Sequence, residues 1–181
     1  MTLNPPTPSA PQAPPTATPR RPNLGAGSVP PADGHAALAT QVYQVFIKSS
    51  PEQIWEAITQ PEFTVRYFHG AAITNTPDAH RSFGPDGAAW GEGAVSEFDP
   101  PRRLTHEWRS LYDPELAYEP ASRVTWEIEP QDGGYCKLTL THDRLDRSPR
   151  TAESVSGEGW MFVLSGLKTL LETGRPLEGA E

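Results

Sequence analysis

The longest amphipathic stretch of this sequence lies near its C-terminal end, between about residues 151 and 172. Its large apolar side chains recur every three or four positions, as on one face of an α-helix, and Gly174 follows where a C-terminal cap is expected. The pattern predicts a single long helix with one buried stripe. A sheet elsewhere in the chain would pack against this helix, because no other predicted helix is long enough to cover a sheet.

The segments between residues 71 and 142 predict such a sheet. They alternate apolar with polar side chains and are separated by turn signals rich in Gly, Pro and Asp. Four strands are clearest, at 95–98, 104–110, 123–129 and 135–142. The arrangement is typical of an antiparallel meander with one buried face and one wet face.

The segment before the meander predicts one more strand and two short helices. Residues 41–48 are rich in β-branched and aromatic side chains, which favours a strand. Ser50, Pro51 and Gln53 form a capping box with proline at the first helical position, and a short helix is expected to run to about residue 59. A second short helix restarts at Pro61 and passes through Tyr67. The predicted class is therefore α+β.

The first 38 residues predict a separate, disordered tail. Ten of the 21 prolines stand in the first 34 residues, with almost no large apolar side chains, so this segment cannot bury enough surface to offset its chain entropy. Its PxxP spacings leave open a docking motif for a proline-binding module. The predicted organisation is a Pro-rich tail at 1–38, one domain at 39–177 and a flexible C-terminus at 178–181.

Charge and cysteine content exclude several classes of function. The net charge is −8, and the tail contributes +1, which leaves −9 for the rest of the chain and disfavours a nucleic-acid partner. The single cysteine, Cys136, excludes an internal disulfide and a zinc site built from paired cysteines. No apolar run is long enough to span a membrane, and no secretory signal is recognised. A cytoplasmic location is the expectation.

Four segments resemble the SRPBCC or START-like superfamily (helix-grip, Bet v 1-like), in its branch of homologues of the activator of the Hsp90 ATPase. They are 50–59, 98–104, the pair 124–128 with 138–142, and 159–174. The resemblance covers residues 41 to about 177 and implies a helix-grip fold, in which a curved antiparallel sheet wraps around a long C-terminal helix and leaves a cavity. It implies lipid-like, polyketide-like or aromatic ligands. The sequence departs from the family at 71–80, where members carry a Gly-rich, aromatic-rich hairpin.

Strand alternation predicts which side chains face such a cavity. Seven aromatic and imidazole side chains are the candidate ligand-binding residues: Tyr43, Tyr67, His106, Trp108, Trp126, His142 and Trp160. Met161 is a further candidate on the helix, whereas His69 is placed at a helix end and His80 in a loop. The alternative is that these side chains are ordinary core residues. No histidine pair has the spacing of metal ligands, and neither a metal nor another cofactor is expected.

The sequence leaves three functions open. The leading hypothesis is a module that binds a small hydrophobic ligand. The second is an enzyme resembling the cyclases and hydrolases of the superfamily, with His106 or His142 as acid and base. The third is a cochaperone-like interaction module, disfavoured because the eukaryotic activators carry a separate folded N-terminal domain where this chain has its Pro-rich tail. A homodimer is left open.

Overall fold

Seven strands, each antiparallel to its neighbours, form one sheet in the computed structural model, which describes residues 39–177. The strands are β1 (Gln41–Ile47), β2 (Ala72–Asn75), β3 (Ala79–Phe83), β4 (Ala89–Asp99), β5 (Arg103–Ser110), β6 (Ser122–Gln131) and β7 (Tyr135–Asp143). Their order is β1-β7-β6-β5-β4-β3-β2, so β2 to β7 form a meander and β1 closes beside β7. The predicted tail and flexible C-terminus lie outside the described residues and stay predictions.

Five α-helices accompany the sheet in the described part of the chain. They are α1 (Pro51–Thr59), α2 (Pro61–Thr64), α3 (Pro114–Ala117), α4 (Pro149–Val155) and α5 (Glu158–Thr173), and a turn of 3-10 helix at Leu145–Arg147 precedes α4. The predicted capping box is present, because Ser50 accepts from the Gln53 backbone N–H and the Gln53 side chain accepts from the Ser50 backbone. The predicted α+β class, with a curved antiparallel sheet against a C-terminal helix, is confirmed.

The prediction of one continuous C-terminal helix is wrong. The helix is broken at Ser156 and Gly157, and Gly157 has a φ of 62°, in the left-handed region that a helix cannot use. The apolar stripe predicted across 151–172 is therefore shared between α4, which buries Val155, and α5, which buries Trp160 and Leu167. The second short helix also ends early, at Thr64, and Tyr67 lies in the turns that follow.

The core lies between the inner face of the sheet and α1 and α5. The largest fully buried side chains include Leu104 of β5, Leu138 and Leu140 of β7, and Leu167 of α5. At about 25 cal/mol per Å² of apolar surface, this layer supplies the main driving force for folding. No helix among residues 39–177 is long and apolar enough to cross a membrane.

Candidate functional site

Side chains of five neighbouring strands project from the inner face of the sheet in regular rows. One row runs across the sheet from Val95 through His106, Val124 and His142 to Gln41. The next row runs from His80 through Gly93, according to the β3–β4 register, and Trp108 follows beyond it on β5. Three imidazoles and an indole therefore lie within two adjacent rows of one surface.

Trp108 is the hub of a continuous cluster of rings beneath α5. Its centroid lies 5.3 Å from Trp160, 5.9 Å from His142, 6.3 Å from His106 and 5.7 Å from His80. Trp126 joins the cluster through Trp160, at 5.8 Å in an edge-to-face arrangement. Five of the seven candidate residues are thus brought together.

His142 is hydrogen-bonded at both ring nitrogens. The Trp160 indole N–H donates to Nδ1 at 3.0 Å, so the neutral imidazole carries its proton on Nε2 and donates to the Ser122 hydroxyl at 2.7 Å. Ser122 in turn donates to the Trp108 carbonyl oxygen at 3.3 Å. Burial, helped by the neighbouring His106, lowers the pKa of His142 to about 3. A neutral imidazole with both nitrogens occupied has no free atom with which to take or give a substrate proton.

His106 is also buried, but only its Nδ1 is held. Nδ1 lies 2.9 Å from the Glu107 carbonyl oxygen, which can only accept, so Nδ1 carries the proton. Burial lowers the pKa of His106 to about 4, although the bond to Glu107 opposes the shift. Its ring stacks on that of His80 at 4.1 Å.

Of the two remaining candidates, Tyr43 stands apart from this ring cluster, and Tyr67 reaches it only through Phe68, at 6.1 Å between ring centroids. Tyr43 is half-buried on the edge strand β1, and its hydroxyl donates to Gln41 Oε1 at 2.9 Å. Tyr67 is fully buried and donates to the Ala57 carbonyl oxygen at 2.9 Å, so it ties the turn after α2 to α1. Met161, the further candidate, is 59% exposed. The helix presents Met161 to solvent because it directly follows the inward-facing Trp160.

The placement of His80 in a loop is wrong, because His80 lies in β3 and is 2% exposed. No apolar alternation marks this strand in the sequence, because the inward positions of β2 and β3 include the polar residues Asn75, His80 and Ser82. Hydrophobic periodicity therefore does not indicate either strand. Like His80, Phe68 belongs to the ring cluster although it is not among the candidates. Its ring centroid lies 5.8 Å from that of Trp160 and 6.2 Å from that of Trp108.

The space between sheet and helices is nearly filled. A void of about 10 Å³ lies under α4 and α5, and a cleft with about 20 Å³ of free space opens beside it, which is room for about one water molecule. Phe68 and Trp108 line both. Two grooves of about 570 Å³ lie elsewhere, but both are open to solvent. They are lined by charged side chains such as Arg81 and Arg103, with which an apolar ligand cannot form hydrogen bonds.

The cleft has mostly apolar walls and a few polar groups. It is lined by Phe68, His69, Ala71, His80, Ser82, Trp90, Gly91, Trp108, Arg109 and Tyr112. Gly91 leaves its floor open: a Cβ there would meet the Arg109 carbonyl oxygen at 3.2 Å and His80 Nε2 at 3.9 Å. Walls of aromatic rings with a few convergent polar atoms are the composition of a small-molecule site.

The remaining reactive groups do not add catalytic chemistry to this cleft. Cys136 is buried on β7, its thiol donates to the Ser49 carbonyl oxygen at 3.3 Å, and burial raises its pKa. A thiol that is held protonated is a poor nucleophile. Within residues 39–177 no three His, Cys, Asp or Glu side chains converge to hold a metal ion.

Comparison with known proteins gives one family match and a set of similar folds. The family model described as activator of Hsp90 ATPase homolog 1-like protein matches residues 48–172. No curated protein matches the sequence.

Three solved structures illustrate the similarity in fold. Protein MLL2253 from Mesorhizobium loti is 22% identical with a TM-score of 0.58, covering 74% of this chain and 96% of its own. DynU16, from the dynemicin biosynthetic locus, is 22% identical with a TM-score of 0.61, covering 76% of this chain and 49% of its own. The Aha1 dimer from Colwellia psychrerythraea is 17% identical with a TM-score of 0.54, covering 75% and 97%. At these identities the likeness shows the fold alone.

Proposed function

The chain belongs to the family of activator of Hsp90 ATPase homolog 1-like proteins, and we propose that it serves as a binding module for a small apolar ligand taken up between its sheet and its C-terminal helices. The observation that carries the proposal is the apolar cleft that opens from the buried ring cluster, with Trp108 as a wall of both. One structural neighbour, DynU16, comes from a biosynthetic locus, which is in keeping with a small-molecule partner.

Ligand entry requires the cleft to widen, because about 20 Å³ holds no more than a water molecule. Phe68 and Trp108 separate the cleft from the void under the helices, and a rotation of either ring would join the two spaces. The wall on the helix side is interrupted at Gly157, where α4 and α5 meet. We therefore expect a closed state without ligand and an open state with it, and the ligand's affinity is reduced by the free energy of opening.

The hydrogen bonds of His142 weigh against the enzyme hypothesis for that residue, since both of its nitrogens are occupied inside the protein. Contact with a chaperone stays a prediction of the family resemblance. A homodimer also stays a proposal, supported by a neighbour in fold that is a dimer.

Thermal unfolding of the full chain in a panel of small apolar molecules tests the proposal. A ligand at 100 times its Kd should stabilise the protein by about 2.7 kcal/mol, enough to raise the Tm by roughly 10 °C. In NMR spectra, the indole N–H signals of Trp90 and Trp108 should move, whereas that of Trp55, which does not line the cleft, should not.

Two variants on β4 locate the site. Gly91→Ala puts a methyl group on the floor of the cleft and should weaken binding at least tenfold, while Ala89→Val adds apolar bulk at an exposed position of the same strand and should bind as the parent does. If no apolar molecule stabilises the protein, or if Gly91→Ala binds as tightly as the parent, the ligand site is not this cleft.

A further inference from the structure

His80 presents an unoccupied hydrogen-bond acceptor to the cleft. Its Nδ1 lies 2.7 Å from Asn75 Oδ1, while its Nε2 lies on the side of Gly91, in the floor of the cleft. Among residues 39–177 no group is hydrogen-bonded to this Nε2. The side chain is only 2% exposed, and its Nε2 is not among the fully buried polar atoms without a partner, so the acceptor keeps access to the cleft.

The neighbouring Asn75 fixes which nitrogen of His80 carries the proton. The Asn75 amide N–H₂ donates to the Ile58 carbonyl oxygen at 2.7 Å, which orients the amide so that its oxygen faces His80. An amide oxygen only accepts, so His80 Nδ1 carries the proton and Nε2 keeps its lone pair. Burial, with the neighbouring His106, holds the pKa of His80 well below 6.5, so Nε2 stays an acceptor at neutral pH.

The rest of the cleft favours a flat and uncharged ligand. Phe68, Trp90, Trp108 and Tyr112 supply aromatic walls, and no carboxylate lines the cleft. The one cation of the lining among residues 39–177, Arg109, has its guanidinium hydrogen-bonded to the Ala117 carbonyl oxygen at 3.1 Å. His69 lines it as well, and its buried Nε2 has no hydrogen-bond partner within the described chain. A buried polar atom without a partner costs about 1–3 kcal/mol, which a ligand with a suitable polar group can recover.

We infer that the cleft selects a planar, uncharged aromatic molecule that carries a hydrogen-bond donor, as a phenol does, and that His80 Nε2 accepts this bond. The inference rests on the proposed function, since it assigns the ligand class and a specificity-determining residue to the same cleft. Lipid chains, which have neither a ring nor a donor at the right place, would bind less well.

Phenol and toluene form a matched pair of probes, because they differ by a hydroxyl group in place of a methyl group of similar size. The ratio of the two affinities is measured in the parent protein and in the His80→Phe variant. Comparing the two ratios, as in a double-mutant cycle, cancels the difference in hydrophobicity between the probes. His80→Phe keeps a ring to stack on His106 and removes the acceptor. The ratio should shift toward toluene by about three- to tenfold, the value of one net hydrogen bond.

Two further observations make the outcome decisive. Tyr118→Phe, which removes a polar atom at a site 90% exposed and outside this cleft, should leave the ratio unchanged. In the parent protein, phenol but not toluene should shift the ¹⁵N resonance of His80 Nε2, so the idea is tested even if His80→Phe does not fold. Equal ratios and an unmoved resonance overturn the assignment of His80 while the cleft can still bind apolar rings. If neither probe binds to the parent protein, both the assignment of His80 and the proposed function are overturned.

Discussion

The imidazole rings of His80 and His106 stack face to face, with centroids 4.1 Å apart and planes inclined by 14°. They come from β3 and β5, and the strand between them, β4, pairs Gly93 with His80. A glycine at this position leaves no side chain between the two rings. Two neutral imidazoles are therefore buried side by side within a few ångströms of Trp108.

Buried neutral histidines predict acid lability. At a pH above their ordinary pKa of 6.5, His106 and His142 are neutral in both the folded and the unfolded protein. Their titration then does not change the free energy of unfolding. As the pH falls below 6.5 the unfolded chain binds protons, while the folded protein does not until about pH 4 for His106 and about pH 3 for His142. The free energy of unfolding should therefore decrease between pH 6.5 and 4, by about 3 kcal/mol for His106 alone.

Urea unfolding of the full chain at pH 7.5, 6, 5 and 4.5 measures this decrease. The variant His106→Phe lacks one of the titrating groups, so its stability should fall less steeply with pH than that of the parent. A stability that is constant from pH 7 to 5 would show that these imidazoles bind protons in the folded protein at the same pH as in the unfolded chain.

The hydrogen bond from Trp160 to His142 predicts a large effect of Trp160→Phe. The change removes the N–H that donates to Nδ1 and leaves a buried acceptor without a partner, in addition to the loss of ring contacts with Trp108 and Trp126. We expect a loss of about 3–5 kcal/mol in the free energy of unfolding.

Trp126→Phe is the matched comparison, because Trp126 is buried equally deeply without a hydrogen bond from its indole to His142. In denaturant unfolding, the loss of stability for Trp126→Phe should be about 1–3 kcal/mol smaller than the loss for Trp160→Phe. Imidazole ¹⁵N spectra should place the proton of His142 on Nε2 in the parent, and a proton on Nδ1 would contradict the assigned direction of the bond.

The two glycines of β4 predict opposite tolerances to alanine. A Cβ on Gly93 would lie 2.0 Å from the Glu107 carbonyl oxygen, so Gly93→Ala has to push β4 and β5 apart, whereas at Gly91 the nearest atom is 3.2 Å away. We expect Gly93→Ala to lose more than about 3 kcal/mol of stability and Gly91→Ala less than about 1.5 kcal/mol. Circular dichroism melting of both variants decides this, and comparable melting temperatures would refute the register described for this strand pair.

The capping box of α1 predicts a moderate loss for Ser50→Ala. The change removes the side-chain oxygen that accepts from the Gln53 backbone N–H at 3.2 Å, which should cost about 1 kcal/mol. Ser165→Ala is the control, because the exposed Ser165 hydroxyl only bonds back to the Met161 carbonyl within α5. Urea unfolding should show a change below about 0.5 kcal/mol for the control, and equal changes would mean that the cap contributes nothing.

The sequence predicted best those elements whose inward face is apolar along its whole length. β5, β6 and β7 alternate cleanly, so their limits and their buried faces were predictable, and the ring positions of His106, Trp108, Trp126 and His142 followed from them. β2 and β3 were missed because His80 and its neighbours bury polar groups that pair with one another. The break at Gly157 was missed because the apolar periodicity continues on both sides of it.

The sequence itself determined the capped start of α1, the buried faces of β5, β6 and β7, and the family membership. Each of these depends on local spacing and backbone preference. Only the tertiary structure decided how the rings fill the space beneath α5 and that His80 faces the cleft. It also decided that both ring nitrogens of His142 are hydrogen-bonded, one to Trp160 and one to Ser122. These features depend on side-chain volumes and hydrogen-bond directions between residues far apart in the chain. Patterns of local sequence spacing do not contain this information.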